Sequence, residues 1–324
     1  MLSIACPFVS ERLRCALRPV RTVRMNQTEI RRIVERRTAE GRPDAMGMVA
    51  TPIAGVRLFR VTEAVRCAPA VYEPSVVAIV GGTKEAILDG RRYRYGRDRY
   101  LCCPVAMPVE AGTPEASTDD PLLGVQVMLD ARMMGDLVIE MERASGSIPR
   151  PDGSAPPRGL SLARWDEAFA DALVRLVRLT DNPADAAVLG EGRLRELLHA
   201  VLTGEAGPAA RRAFGVGNEI ARAIEHLASN LHEPVTIESM AARAHMSRAV
   251  FHRRFKEATT LSPIQFAKAM RLNEAAMRIA AGTRVSEAAV DVGYSSASQF
   301  SREFKRMYGR SPKEWRGTQT AVAA

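Results

Sequence analysis

The chain has 324 residues, 46% of them hydrophobic and 26% charged, with a formal net charge of +9. That length predicts two domains with separate cores, and that composition excludes a disordered chain. No run of 18 or more uncharged apolar residues occurs, so no membrane-spanning helix is expected and the reading is a cytoplasmic protein.

Residues 1–24 hold five arginines against one acid and are expected to be a disordered basic leader. A transit peptide and a start at Met25 are the other accounts of it. Thr28 is expected to cap a helix through Ile30, Ile33, Val34 and Arg37 that closes at Gly41 and Pro43. Strands are read at Val56–Thr62, Ser75–Gly81, Lys84–Leu88, Arg91–Tyr95, Arg99–Cys103 and Leu122–Leu129. Asp89-Gly90 signals a tight hairpin between two of them. Alternating apolar residues and close turns make this a small antiparallel barrel or sandwich able to enclose a ligand.

Helical periodicity returns at Ala131–Arg143. After a Pro, Gly and Ser loop, Leu162, Trp165, Phe169, Leu173, Leu176 and Leu179 mark one apolar face. A second helix runs Pro183–Leu202. This helical pair fits two accounts, homodimerisation and packing on its own barrel. The effector or dimerisation domain is therefore 25–203, and 204–217 reads as a linker.

From 218 to 316 one helix-turn-helix unit is written twice. A shift of 49 positions superposes Phe251 on Phe300, Arg253 on Arg302, Phe255-Lys256 on Phe304-Lys305, and Ser262-Pro263 on Ser311-Pro312. This stretch carries sixteen Lys and Arg against ten Asp and Glu, the footprint of a polyanion-binding module. In the first copy Ser247 opens a helix whose Phe251 and Phe255 face inward. Arg248, Ala249, His252, Arg253 and Lys256 then face outward. In the second, Ser296 opens a helix with Gln299 at the reciprocal capping-box position; Ala297, Ser298, Ser301, Arg302 and Lys305 face outward. Arg253 and Arg302 are the leading base readers, since arginine can bond two acceptors on guanine. Lys256, Lys305 and Arg306 are expected on phosphates. Between the units, Ser262-Pro263-Ile264-Gln265 starts a helix of 20 residues to Ala281, about 30 Å and close to one turn of duplex DNA. A disordered tail is expected at 317–324. The fold class is thus multi-domain α+β: an N-terminal antiparallel β-barrel with flanking helices, then an all-α domain of two helix-turn-helix units joined by a long helix.

The pattern Gly293-Tyr294-Ser295, Ser298, Phe300-Ser301-Arg302, Phe304-Lys305, Gly309, Ser311-Pro312, Trp315-Arg316 resembles the signature of AraC/XylS-type transcriptional regulators. Tyr72-Glu73-Pro74-Ser75 and the Gly90–Tyr95 hairpin are similar to the cupin-like N-terminal domain of one branch of that family. The resemblance implies a bacterial, non-enzymatic regulator that binds promoter DNA through the helices at Arg248–Lys256 and Ala297–Lys305. It also implies a small-molecule effector, with RNA polymerase and a second copy of the chain as possible partners. Two departures stand out. The first copy has Ala244-His245 where the second has Gly293, and Ala249 is short for a contact residue, fit to meet a thymine methyl or nothing.

An enzymatic barrel is the rival class. All five histidines lie at position 199 or later, so no histidine-ligated metal is expected in the barrel, and no cofactor is expected anywhere. The five cysteines lack CxxC spacing and read as reduced thiols. Cys102 and Cys103, adjacent on a strand and so on opposite faces, are structural thiols or, with Tyr72, part of an effector or electrophile sensor.

Overall fold

The computed structural model describes residues 8–44, 47–145, 159–215, 218–233 and 236–320. Among these residues ten strands form two antiparallel sheets. The larger has the order β1 (Met48–Ala50), β2 (Val56–Val61), β9 (Leu122–Met128), β4 (Ser75–Gly81), β7 (Arg99–Cys103), β10 (Ser161–Arg164). The smaller has the order β3 (Val65–Tyr72), β8 (Met107–Thr113), β5 (Lys84–Leu88), β6 (Arg91–Tyr95). The six strands read from the sequence are all present. Asp89 and Gly90 have φ of 50° and 71°, the paired left-handed residues of a two-residue hairpin joining Leu88 to Arg91.

Four strands escaped the sequence reading. β1 and β10 are too short for a period to show. β3 and β8 carry Pro69 and Pro108, which break the pattern of a strand. β3 lies at the edge of its sheet, where a missing N–H can face away from the ladder.

Alternation along the central strands sorts side chains between two cores. Val76, Ala78, Tyr100 and Cys102 face a layer of helices: α1 (Phe8–Glu40), α2 (Ala131–Ser145), α3 (Glu167–Arg178) and α4 (Pro183–Thr203). Val77, Ile79, Leu101 and Cys103 face the space between the sheets. Ile30, Ile33 and Val34 of α1 are buried in the helical layer, and Tyr100 stacks on Phe169 at 4.0 Å between ring centres. The helical pair therefore packs on its own barrel.

Three boundaries differ from expectation. Residues 8–24, read as disordered, continue α1; arginine, alanine and leucine are good helix formers, and Val23 packs on the core. Thr28 is thus inside the helix and donates its hydroxyl to the Arg24 carbonyl at 2.9 Å instead of capping. The 204–217 linker contains a helix, α5 (Gly207–Phe214), whose Ala210 is fully buried along with the preceding Ala206. A Cβ at Gly207 would run into the Leu202 carbonyl, so its small residues serve close packing. Residues 317–320, read as tail, complete the last helix, α12 (Pro312–Thr320), while 321–324, 216–217 and the loop at 146–158 lie outside the described residues.

The C-terminal helices are α6 (Glu219–Ser229), α7 (Ile237–Arg243), α8 (Arg248–Thr259), α9 (Pro263–Ala280), α10 (Val285–Asp291), α11 (Ala297–Tyr308) and α12. α9 divides its apolar residues between two cores. Phe266, Ala267 and Met270 join Phe251 and Phe255, in a cluster continuous with the barrel interior. Leu272, Ala275, Ala276 and Ile279 join Phe300 and Phe304 in a separate cluster. No described helix is long and apolar enough to cross a membrane.

Candidate nucleic-acid interface

Each helix-turn-helix unit is held by caps and by an aromatic pair one helical turn apart. Thr236 and Ser239 form a reciprocal capping box at the start of α7, and Ser247 accepts from the Val250 N–H at the start of α8. Phe251 and Phe255 lie 5.4 Å apart, as do Phe300 and Phe304, and all four are fully buried. Ser262 and Gln265 make the expected box at the start of α9. The box expected from Ser296 and Gln299 is half formed. Ser296 accepts from the Gln299 N–H, but the Gln299 side chain turns along the helix to Glu303 at 3.4 Å.

The two turns reach the same shape by different residues. The first helices of the units are offset by 48 positions and the recognition helices by 49, so the second turn has one extra residue. At the 48-residue offset Gly293 falls on His245, not on Ala244. Both have positive φ, 86° and 49°, while Ala244 is near helical at −82°. The bonding repeats at the same offset: Met246 N–H to Ala241 carbonyl, Tyr294 N–H to Ala289 carbonyl, 3.0 and 2.9 Å. A non-glycine residue takes this conformation at some cost, and His is among those that do so more readily.

Beyond the turns, the outward faces follow the sequence reading. On α8, Arg248, Ala249, Arg253 and Lys256 are exposed and His252 is half-buried. On α11, Ala297, Ser298, Gln299, Arg302, Lys305 and Arg306 are exposed and Ser301 is half-buried. Arg248 pairs with Glu238 of α7 at 2.9 Å, and Arg253 approaches Glu257 at 4.0 Å. Arg302 has no ion-pair partner among the described residues. These exposed pairs are worth little to stability and would yield readily to an anionic ligand.

Behind α11 sits a polar network that the sequence did not announce. Glu303 accepts from Tyr294 at 2.8 Å and pairs with Lys268 of α9 at 3.2 Å. Burial would raise the Glu303 pKa, but the hydrogen bonds from Tyr294, Lys268 and Gln299 prevail and lower it. One carboxylate so fixes α11 against both its turn and α9. Five residues after Lys268, Asn273 of α9 is 2% exposed. It donates to the carbonyls of Ala70 (2.8 Å) and Val109 (2.9 Å) and accepts from the Tyr308 hydroxyl (2.7 Å). The only trace of this in the sequence is a polar residue on an otherwise apolar stripe.

Of the residues read as effector or sensor, Tyr72 lines a cleft between the barrel and the C-terminal helices. Cys102 and Cys103 are fully buried, on opposite faces as expected. Burial pushes the Cys102 thiol up to about 12 and raises Cys103 as well, which keeps both protonated. Among the described residues no three His, Cys, Asp or Glu side chains converge as a metal site.

A β-barrel with a helical flank, followed by two capped helix-turn-helix units sharing one long helix, defines a double helix-turn-helix protein with an N-terminal β-domain. Residues 52–209 match the AraC-type transcriptional regulator N-terminus, and residues 240–318 match a helix-turn-helix domain. The chain is 41% identical over 81 residues to the HTH-type transcriptional regulator MtrA of Neisseria gonorrhoeae, covering 25% of this chain and 27% of that protein. It is 39% identical over 82 residues to the RCS-specific HTH-type transcriptional activator RclR of Escherichia coli, covering 25% and 29%. The matched stretch thus spans less than a third of either relative. Apo ToxT from Vibrio cholerae superposes with a TM-score of 0.49 at 12% identity, over 85% of this chain and 98% of that one. The chain belongs to the AraC family of transcriptional regulators.

Proposed function

We propose that the protein is a sequence-specific DNA-binding transcriptional regulator. Its two recognition helices, α8 and α11, read two successive major-groove half-sites. The observation that carries this is the pair Arg253 and Arg302, exposed at matching places on two helices whose opposite faces are anchored by buried phenylalanines. α9 has 18 residues, about 27 Å, so it contributes most of one duplex turn to the spacing of the two units. A small-molecule effector at the N-terminal domain adjusts this binding, and RNA polymerase is the partner that a promoter-bound regulator would meet. A second copy of the chain is a further partner. The α4 face bearing Val188 and Leu189, 81% and 45% exposed, supports that part of the reading.

Selection of bound duplexes from a random-sequence library, followed by footprinting on genomic fragments, tests the proposal. The expected result is discrete protected sites near promoters, each with two half-sites about one helical turn apart. Uniform protection without a recovered motif would replace it with a non-specific DNA binder. Sedimentation with and without operator DNA tests the dimer.

A further inference from the structure

The buried apolar residues of the two helix-turn-helix units fall in separate clusters along α9, around Phe266 and Met270 for the first and around Leu272 and Ile279 for the second. Among the described residues, that packing joins each unit to α9 rather than to the other unit. What bridges them is polar. Lys268 and Arg271, three positions apart on α9, are neighbours on its surface and half-buried. Arg271 reaches the first unit: its Nε donates to the Leu231 carbonyl at 2.8 Å and its Nη2 to the Glu233 carbonyl at 2.5 Å, in the turn that follows α6. Lys268 reaches the second, pairing with Glu303 of α11 at 3.2 Å on the same carboxylate oxygen that accepts from the Tyr294 hydroxyl. Between these two grips the units touch. A Cβ at Gly293, the turn residue of the second unit, would stand 2.8 Å from the Leu231 carbonyl oxygen and 2.9 Å from the His232 backbone. The Leu231 carbonyl thus meets both α9 and the second turn. A guanidinium holds two carbonyls in one planar fork, which fixes their angle as an ammonium group does not.

We infer that this junction fixes the distance and twist between α8 and α11, so that the protein accepts two half-sites at one spacing only. Arg271, Lys268 and Glu303 are positioning residues, acting on DNA through the placement of Arg253 and Arg302. A rigid pair of readers that matches its two half-sites engages the second at high effective concentration, and that gain is lost once the span no longer fits. One added base pair between the half-sites shifts the second by about 3.4 Å and turns it by about 34° around the duplex axis. A rigid reader cannot follow such a change; a loosened one can. The inference rests on the reading of α8 and α11 as base readers in successive grooves, but the rigidity of the junction has a test of its own.

Two measurements on the full chain test it. Without DNA, spin labels on p-acetylphenylalanine in place of the exposed Glu257 of α8 and Met307 of α11 report the distance between the recognition helices by double electron–electron resonance. The otherwise unaltered chain should give one narrow distance. Arg271→Ala and Glu303→Ala should broaden it, and Arg271→Lys should fall between. With DNA, the duplex recovered by library selection is lengthened by one and by two base pairs between its half-sites. One base pair should weaken wild-type binding roughly ten- to a hundredfold, the weight of one misplaced bidentate base contact. Arg271→Ala and Glu303→Ala should bind the selected duplex less tightly than wild type yet lose roughly tenfold less on insertion, with base preference inside each half-site unchanged. Variants that lose equally on every duplex and keep the wild-type spacing profile would overturn the positioning role. A broad distance in the unaltered chain would overturn it as well. A narrow distance that the variants broaden, with no motif recovered from the library, would refute the regulator reading and leave the rigid junction standing.

Discussion

The Tyr308 hydroxyl, at the end of the second recognition helix, donates to Asn273 Oδ1 at 2.7 Å. Asn273 in turn grips the barrel through the carbonyls of Ala70 and Val109. One buried amide therefore joins the N-terminal barrel domain to the helix-turn-helix domain, and Tyr72, on the cleft, is two residues along β3 from Ala70. Replacing Asn273 with alanine removes the side-chain donor to two carbonyls and leaves the Tyr308 hydroxyl without its acceptor in a buried site. We expect Asn273→Ala to cost about 3 kcal/mol and Tyr308→Phe about 1 kcal/mol. Denaturant titration of the full chain, with the double variant closing the cycle, measures both. Additive costs would mean that the two groups do not act together.

Arg302→Ala and Lys305→Ala separate base reading from backbone attraction. The arginine variant should lose about 1 to 3 kcal/mol on the selected site and relax preference at one base pair. The lysine variant should weaken all duplexes alike and lower the slope of log affinity against log salt by about one phosphate contact. Parallel titrations of matched and scrambled duplexes at several salt concentrations distinguish them. Identical profiles would cancel the two role assignments.

The recognition helices end alike but with unequal residues. Gly309 closes α11 at φ 73°, and Thr260 closes α8 at φ 67°, where its branched side chain is strained and its hydroxyl is buried without a hydrogen bond. Thr260→Gly should stabilise the chain by about 1 kcal/mol, the relief of the left-handed strain less the added freedom of the unfolded chain. Gly293→Ala should do the opposite, by about 2 kcal/mol or more. Its φ is 86°, and a Cβ would stand 2.8 Å from the Leu231 carbonyl oxygen, so backbone must move. Thermal melts give both signs directly.

Lys84 makes stability depend on pH in an unusual direction. Its folded pKa of about 8 lies below the ordinary lysine value of 10.5, so between these values the unfolded chain binds more protons than the folded one. Its contribution to stability therefore rises with pH through that window. The adjacent Tyr72 and Tyr95 hydroxyls are pushed further up by burial and stay protonated across it. Denaturation midpoints from pH 7.5 to pH 10.5 (about one pH step apart) should show a positive difference slope for wild type minus Lys84→Met. A flat difference would mean that the amine is solvated.

Much of the DNA-facing half was legible in the sequence because its determinants are local. Caps, aromatic pairs at helical spacing and the residues between them set α8 and α11, and periodicity alone turns Arg253 and Arg302 outward. The same held for hairpin residues Asp89 and Gly90, whose conformation is their own. Other features depend on residues far apart in the chain. Pro69 and Pro108 hid strands that the sheets accommodate, and the small residues of 204–217 looked like a linker until Ala206 and Ala210 were seen buried. The one-residue offset between the two turns needed backbone angles to find. Asn273 meets Ala70 across 203 positions, and Lys84 of β5 and Met270 of α9 line one cleft, arrangements that no local pattern encodes. Secondary structure and the outward faces follow from short-range preference and helical or strand period. Which buried polar groups find partners was decided only when the two domains packed together.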